Sequence, residues 1–192
     1  MASKKESTFT NMVVVLFVIS IVSATSLGFV YELTKKPIED AKIKKQELAI
    51  AQVVPAFDNK PMQEAEIVKI GDSELVFFPA KKAGKLVGVA VKTFSESGFS
   101  GRVDIMVGFK PDGTIINTSV LGHKETPGLG DKMSQSKSKW STQFNEKDPK
   151  VFKLIVKKDG GEVDAITAST ISSRAFCEAV NLAYTEFMKK YN

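Results

Sequence analysis

The sequence predicts an α+β fold, a mainly antiparallel sheet with flanking helices, preceded by one N-terminal transmembrane helix. Three observations carry this expectation: an uncharged apolar run near the N-terminus, short alternating segments in the middle, and a helical apolar repeat at the C-terminus. The chain has 192 residues, enough for one domain plus an appendage, and 43% of them are hydrophobic, so a sizeable core is possible.

Met12 to Val30 reads MVVVLFVISIVSATSLGFV, nineteen residues without a charge. At 1.5 Å per residue a helix of this length spans roughly 28 Å, close to the hydrocarbon thickness of a bilayer. Tyr31 stands where an interfacial aromatic belongs. A cleaved signal peptide is the rival reading, with Lys4 and Lys5 as its basic region and Val22-Ser-Ala24 as its cleavage site. The apolar run continues past that point, which favours a retained anchor. The expected division is a short tail over 1–11, the transmembrane helix over 12–31, a helical stalk over 32–56 and a domain over 57–192. Lys35, Lys36, Lys42, Lys44 and Lys45 crowd the C-terminal flank. A plain positive-inside count would therefore keep the domain in the cytoplasm, although long domains override that bias.

Ile38 to Val53 alternates charge with Ile38, Ala41, Leu48 and Ala49, the pattern of a helix ended by Pro55. A turn is expected at Asp58–Pro61. Alternating runs then predict strands at Glu74–Phe78, Lys85–Thr93, Arg102–Phe109 and Thr114–Leu121. Lys110-Pro-Asp-Gly113 joins the last two, and its Asp-Gly pair is a hairpin signal. Met133, Trp140 and Phe144 fall on one face of an expected short helix. Val151–Val156 reads as a further strand closed by Asp159-Gly-Gly161. From Ile171 the apolar residues Ala175, Phe176, Ala179, Val180, Ala183 and Phe187 recur at helical spacing.

Charge and cysteine content exclude several classes. Lys and Arg number 27 against 22 Asp and Glu, a net +5, but only Arg102 and Arg174 are arginines and the lysines are dispersed. Nucleic-acid binding would cluster arginine with aromatics, so no nucleic-acid partner is expected. The single Cys177 rules out an internal disulfide or a thiolate metal cluster and reads as a small core residue. With His123 the only histidine, no multi-histidine metal site can form, and neither a metal nor a catalytic side chain is expected.

Two stretches point to a ligand. Asp164-Ala-Ile-Thr-Ala-Ser-Thr-Ile-Ser-Ser173 places five hydroxyl side chains at the mouth of the C-terminal helix. Thr167, Ser169 and Thr170 sit at the cap and first turn, where backbone N–H groups lack intrahelical partners and the dipole favours an anion. Taken alone, such a cluster reads first as an ordinary Ser/Thr cap. In His123-Lys-Glu-Thr-Pro-Gly-Leu-Gly-Asp131, Pro127, Gly128 and Gly130 let the backbone turn sharply and approach a flat ligand, while Glu125 and Thr126 supply polar contacts. Taken alone, this is a structural Gly/Pro loop. Together the two could hold the ring and the phosphate of one ligand.

These stretches, with Ser97-Gly-Phe-Ser-Gly101 before Val103-Asp-Ile-Met-Val-Gly108, resemble the FMN-binding domain of membrane-bound electron-transfer subunits. The resemblance is to the G subunit of Rnf complexes, related to the C subunit of the sodium-translocating NADH:quinone reductase, and it runs from the anchor to the C-terminal helix. In that family the last motif is usually Asp-x-x-Ser/Thr-Gly-Ala-Thr, whose final threonine a separate flavin transferase esterifies to the FMN phosphate outside the cytoplasm. The resemblance therefore implies FMN held covalently by Thr170, with Asp164, Thr167, Ala168 and Ser169 completing the motif. It further implies that Glu125, Thr126, Gly128, Leu129 and Gly130 contact the ring and ribityl chain. His123 is either a flavin contact or a structural turn residue. The usual Gly-Ala reads Ala168-Ser169 here, which sets a second hydroxyl beside the acceptor. The implied role is an electron relay within an ion-translocating ferredoxin:NAD oxidoreductase of several membrane subunits, on the outer side of the cytoplasmic membrane. A quinone-reductase subunit, a flavin-free membrane-anchored binding domain and a docking subunit are the alternatives.

Overall fold

The computed structural model describes residues 8–191, so Lys4, Lys5 and most of the expected tail lie outside the described residues. Its elements are a long helix α1 (Phe9–Val53), strands β1 (Glu66–Ile70), β2 (Ser73–Lys82), β3 (Lys85–Gly98), β4 (Gly101–Phe109) and β5 (Ile115–Gly122), and a helix α2 (Thr170–Tyr191). The chain divides into two compact units, one ending at Lys44 and the other starting at Lys45.

The first unit is helical. The expected anchor and stalk run on as one helix that accommodates Pro37, and it stops at Val53, two residues short of Pro55. The most apolar part of α1 is long enough to cross a membrane, and none of it is buried in protein.

The second unit is built on a five-stranded antiparallel sheet in the order β1-β2-β3-β4-β5. Every connection is a hairpin, including the expected turn at 110–113, where the Gly113 N–H donates to Lys110 O at 2.9 Å. Both faces of the sheet are covered. Leu75 and Phe77 of β2, Val89 and Val91 of β3, and Val103, Ile105, Val107 and Phe109 of β4 meet the buried stripe of α2. Val76, Phe78, Ala80, Ala90 and Met106 instead meet Ala49, Ile50 and Val53, the last turns of α1. This strict alternation is what period-2 patterning demands of a sheet buried on both sides.

Small residues make the second contact possible. Ala80 pairs with Gly88 and Ala90 with Gly108, a low row across three strands. A side chain at Gly108 would stand 1.8 Å from the Val53 carbonyl oxygen, so only glycine allows the helix end to settle there. The Lys45 ammonium donates to Leu121 O at 2.6 Å, and Asn117 and Ser119 of β5 bond to Gln52 at 3.0 and 3.1 Å. The compact unit thus begins within α1, at Lys45.

On the α2 face, Phe109 stacks on Phe187 and Phe187 on Tyr191, with ring centroids 5.0 and 5.1 Å apart. Trp140, Phe144 and Phe176 form a second aromatic cluster at 4.9–5.6 Å. Cys177 is buried in this core, and desolvation pushes its thiol up to about 12.

Three expectations are corrected. Val151–Val156 forms no strand, only an isolated parallel bridge from Val156 to Val163. Asp148 is the reason: its carboxylate accepts the Lys150 N–H at 2.9 Å and its carbonyl the Phe152 N–H at 2.8 Å, a turn that competes with extended backbone. The expected short helix is two 3₁₀ turns, Gly130–Met133 and Trp140–Phe144. Ser138 separates them, donating to Lys132 O at 2.7 Å and accepting the Trp140 N–H at 3.1 Å. Strand β1 is absent from the sequence reading because Glu66 and Lys69 interrupt its short apolar pattern; it is an edge strand and mostly exposed.

Candidate functional site

The N-terminus of α2 is set by hydrogen bonding. Ser173 N–H donates to Ser169 O at 3.0 Å, the first helical bond, which makes Ser169 the cap and leaves the amides of Thr170, Ile171 and Ser172 ahead of it. Ser173 Oγ locks the approach by donating to Ser169 O and accepting the Ile166 N–H, both at 2.9 Å. To enter the helix at this angle the chain passes through Ala168 with φ of 61°, a left-handed conformation that a Cβ disfavours. This is the position at which the family motif usually carries glycine.

Beside this helix mouth lies a cavity of about 300 Å³. Its walls come from three segments: Phe99 in the β3–β4 turn, Glu125 to Gly130 in the loop after β5, and Ala168 to Ser172 at the start of α2. Of the residues nominated from sequence, it brings together Glu125, Thr126, Leu129, Gly130, Ala168, Ser169 and Thr170. Gly128 and Thr167 are exposed and outside the lining. Asp164 pairs with Lys157 at 2.7 Å while its carbonyl accepts the Trp140 indole N–H at 2.5 Å, so its contacts anchor the approach to the helix. His123 accepts the Glu125 N–H on Nδ1 at 3.1 Å, a turn contact outside the lining.

Sequence reasoning missed Phe99, Ile171 and Ser172 as lining residues. Phe99 lies in the 97–101 motif but carries no chemical signal of its own. The rim it forms is apolar and open, with Phe99 69%, Ile171 45% and Leu129 40% exposed. The walls are joined by Glu125, which is 5% exposed. One of its oxygens accepts the Ser100 N–H at 3.1 Å and the other the Ser172 hydroxyl at 2.7 Å. Gly98 and Gly130 border that carboxylate: a Cβ on either would stand 2.7 Å from it, and closer still to the Gly101 carbonyl (2.2 Å) or the Ser172 hydroxyl (2.6 Å).

The donor set suits a phosphorylated flat ligand. Free amides and two hydroxyls at a helix mouth bind phosphate, and the exposed apolar rim offers a flat ring a surface to pack on. Residues 98–185 match the family of FMN-binding domains, and the chain is a flavoprotein of that class. Relatives extend the match over most of the chain. The G subunit of an ion-translocating oxidoreductase complex from Shewanella piezotolerans is 35% identical, covering 77% of this chain and 76% of the relative. The G subunit of a Na⁺-translocating ferredoxin:NAD⁺ oxidoreductase complex from Acetobacterium woodii is 35% identical over 88% and 86%. The corresponding G subunit from Pasteurella multocida is 33% identical over 90% and 89%. The chain belongs to this family, the G subunits of Rnf-type ion-translocating oxidoreductases.

Proposed function

We propose that this chain is a single-pass membrane subunit that carries FMN covalently on Thr170, outside the cytoplasm, and relays electrons between ferredoxin and NAD within an ion-translocating complex. The observation that carries the reading is the cavity itself: Ser169 and Thr170 at the start of α2, where the first amides lack helical partners, and an apolar rim line one space. FMN when bound supplies one-electron chemistry, and the protein's part is to hold and orient it. The amides of Thr170, Ile171 and Ser172 and the Ser169 hydroxyl receive the phosphate. Thr170 would present the hydroxyl that a flavin transferase esterifies to the flavin phosphate, and FMN would then be held through that ester. Glu125, Thr126, Leu129 and Gly130 would hold the ribityl chain and ring, and Phe99, Leu129 and Ile171 would give the ring an apolar surface to pack on. The phosphoester keeps the flavin from diffusing away where no flavin pool exists. The uncharged part of α1, residues 12–31, anchors the chain beside its partner subunits.

Two measurements test this. Made together with a flavin transferase, the full chain should gain the mass of one FMN phosphoester and fluoresce on a denaturing gel; the bare polypeptide mass overturns the flavin reading. A reporter that works only outside the cytoplasm, fused after Asn192, should be active. An inactive reporter at normal expression reverses the topology.

A further inference from the structure

Glu125 is the one ionisable side chain among the described residues that line the cavity. Burying a carboxylate is costly, and tying three segments together does not require charge, because a neutral amide of the same shape can also bridge an N–H and a hydroxyl. Here both oxygens act as acceptors, one from Ser100 N–H and one from Ser172 Oγ, at 3.1 and 2.7 Å. Gly98 and Gly130 border it, each leaving no room for a Cβ: at 98 the Gly101 carbonyl lies 2.2 Å and the carboxylate 2.7 Å from that position, and at 130 the Ser172 hydroxyl lies 2.6 Å and the carboxylate 2.7 Å from it. Asp131, the next acidic residue along the loop, is also buried but forms no part of the cavity wall. The charge at Glu125 therefore faces whatever occupies the cavity, in surroundings where screening by water is weak.

Resting on the flavin reading, we infer that Glu125 is a positioning residue that fixes the cavity's three walls and, by its charge, lowers the reduction potential of the bound flavin. Reduction adds negative charge to the flavin, and a fixed negative charge in the wall opposes it. The two donors set how strongly that charge is felt. Each partly compensates the carboxylate, so removing one leaves more of its field on the ligand.

This gives two variants with opposite signs. Glu125→Gln keeps the shape and removes the charge, and the flavin's midpoint potential should rise. Ser172→Ala leaves the Glu125 side chain in place and removes one donor to it, and the potential should fall. Both are read by potentiometric titration with mediator dyes on the full chain loaded with FMN, compared with the unaltered chain. A purely structural clamp would change thermal stability or flavin loading in both variants and leave the potential where it was, which overturns the inference. Should Glu125→Gln fail to fold, Ser172→Ala decides alone: an unchanged or raised potential overturns the inference, and a lowered one supports it. An unaltered chain that carries no flavin overturns the flavin reading itself, and is told apart by mass before any titration.

Discussion

Along α1 every side chain over residues 9–33 is exposed, Val, Leu, Ile and Phe included, whereas along α2 Ala175, Phe176, Ala179, Val180, Ala183 and Phe187 are buried and Glu178, Asn181, Thr185 and Lys189 face out. Both are helices rich in apolar residues. They differ in where those residues lie around the axis. A helix apolar on all sides finds no single protein surface to cover it and suits a lipid solvent, while an apolar stripe suits one sheet face. The last turns of α1 make the point within one helix. Beyond Lys44 burial becomes one-sided, with Ala49, Ile50 and Val53 on the sheet and Leu48, Ala51 and Gln52 exposed. The difference extends to function: α1 contributes solvent preference, and α2 contributes a shaped end.

The comparison is broken most completely at that end. Thr170→Val should abolish covalent flavin while the chain stays folded, since a hydroxyl at a helix start is worth only about 1 kcal/mol. Ser169→Ala should reduce labelling without abolishing it if, as proposed, Ser169 caps the helix beside the phosphate and Thr170 is the acceptor. Peptide mass spectrometry of both variants decides, and flavin retained in Thr170→Val but lost in Ser169→Ala would move the attachment by one residue.

Next in size is the stripe. Phe176→Ala removes a fully buried ring that meets Trp140 at 5.1 Å and Phe144 at 4.9 Å, and should cost about 3–5 kcal/mol. Urea unfolding of the detergent-solubilised chain, followed by fluorescence of its single tryptophan, measures it. Val18→Arg probes the other helix. It should leave that urea midpoint unchanged and weaken membrane insertion by about 3 kcal/mol, seen as chain released by alkaline carbonate. A shifted urea midpoint would mean that Val18 packs on protein.

The smallest effect sharpens the helix mouth. Ala168→Gly relieves a left-handed residue at φ 61° and should stabilise the chain by about 1 kcal/mol, raising the urea midpoint without loss of flavin. A fall in stability would mean that the Ala168 methyl does more for the cavity wall than its strain costs.

Much of this was legible in the chain. The fold class, the apolar helix, four of the five strands and the Asp-Gly hairpin follow from periodicity and turn chemistry, which are local properties. The hydroxyls of 167–173 and the loop of 123–131 were visible as motifs for the same reason. Illegible were β1, whose Glu66 and Lys69 face solvent at an edge, and the fate of 151–156, where the side chain of Asp148 bends the backbone. Neither strand pattern nor propensity reports that kind of competition.

Sequence by itself therefore determined which segments are apolar all round, which alternate and where a helix must start, because each depends on a residue and its near neighbours. Only the tertiary structure decided that Phe99, Glu125 and Ser172, from three separate segments, share one cavity. It alone revealed that Gly98 is crowded by the Gly101 carbonyl and the Glu125 carboxylate, that Gly130 is crowded by Ser172 and the same carboxylate, and that Gly108 is a seat for the end of α1. The physical reason is that close approach is a property of pairs distant in sequence. A glycine required by its neighbour's bulk looks, along the chain, like any other glycine.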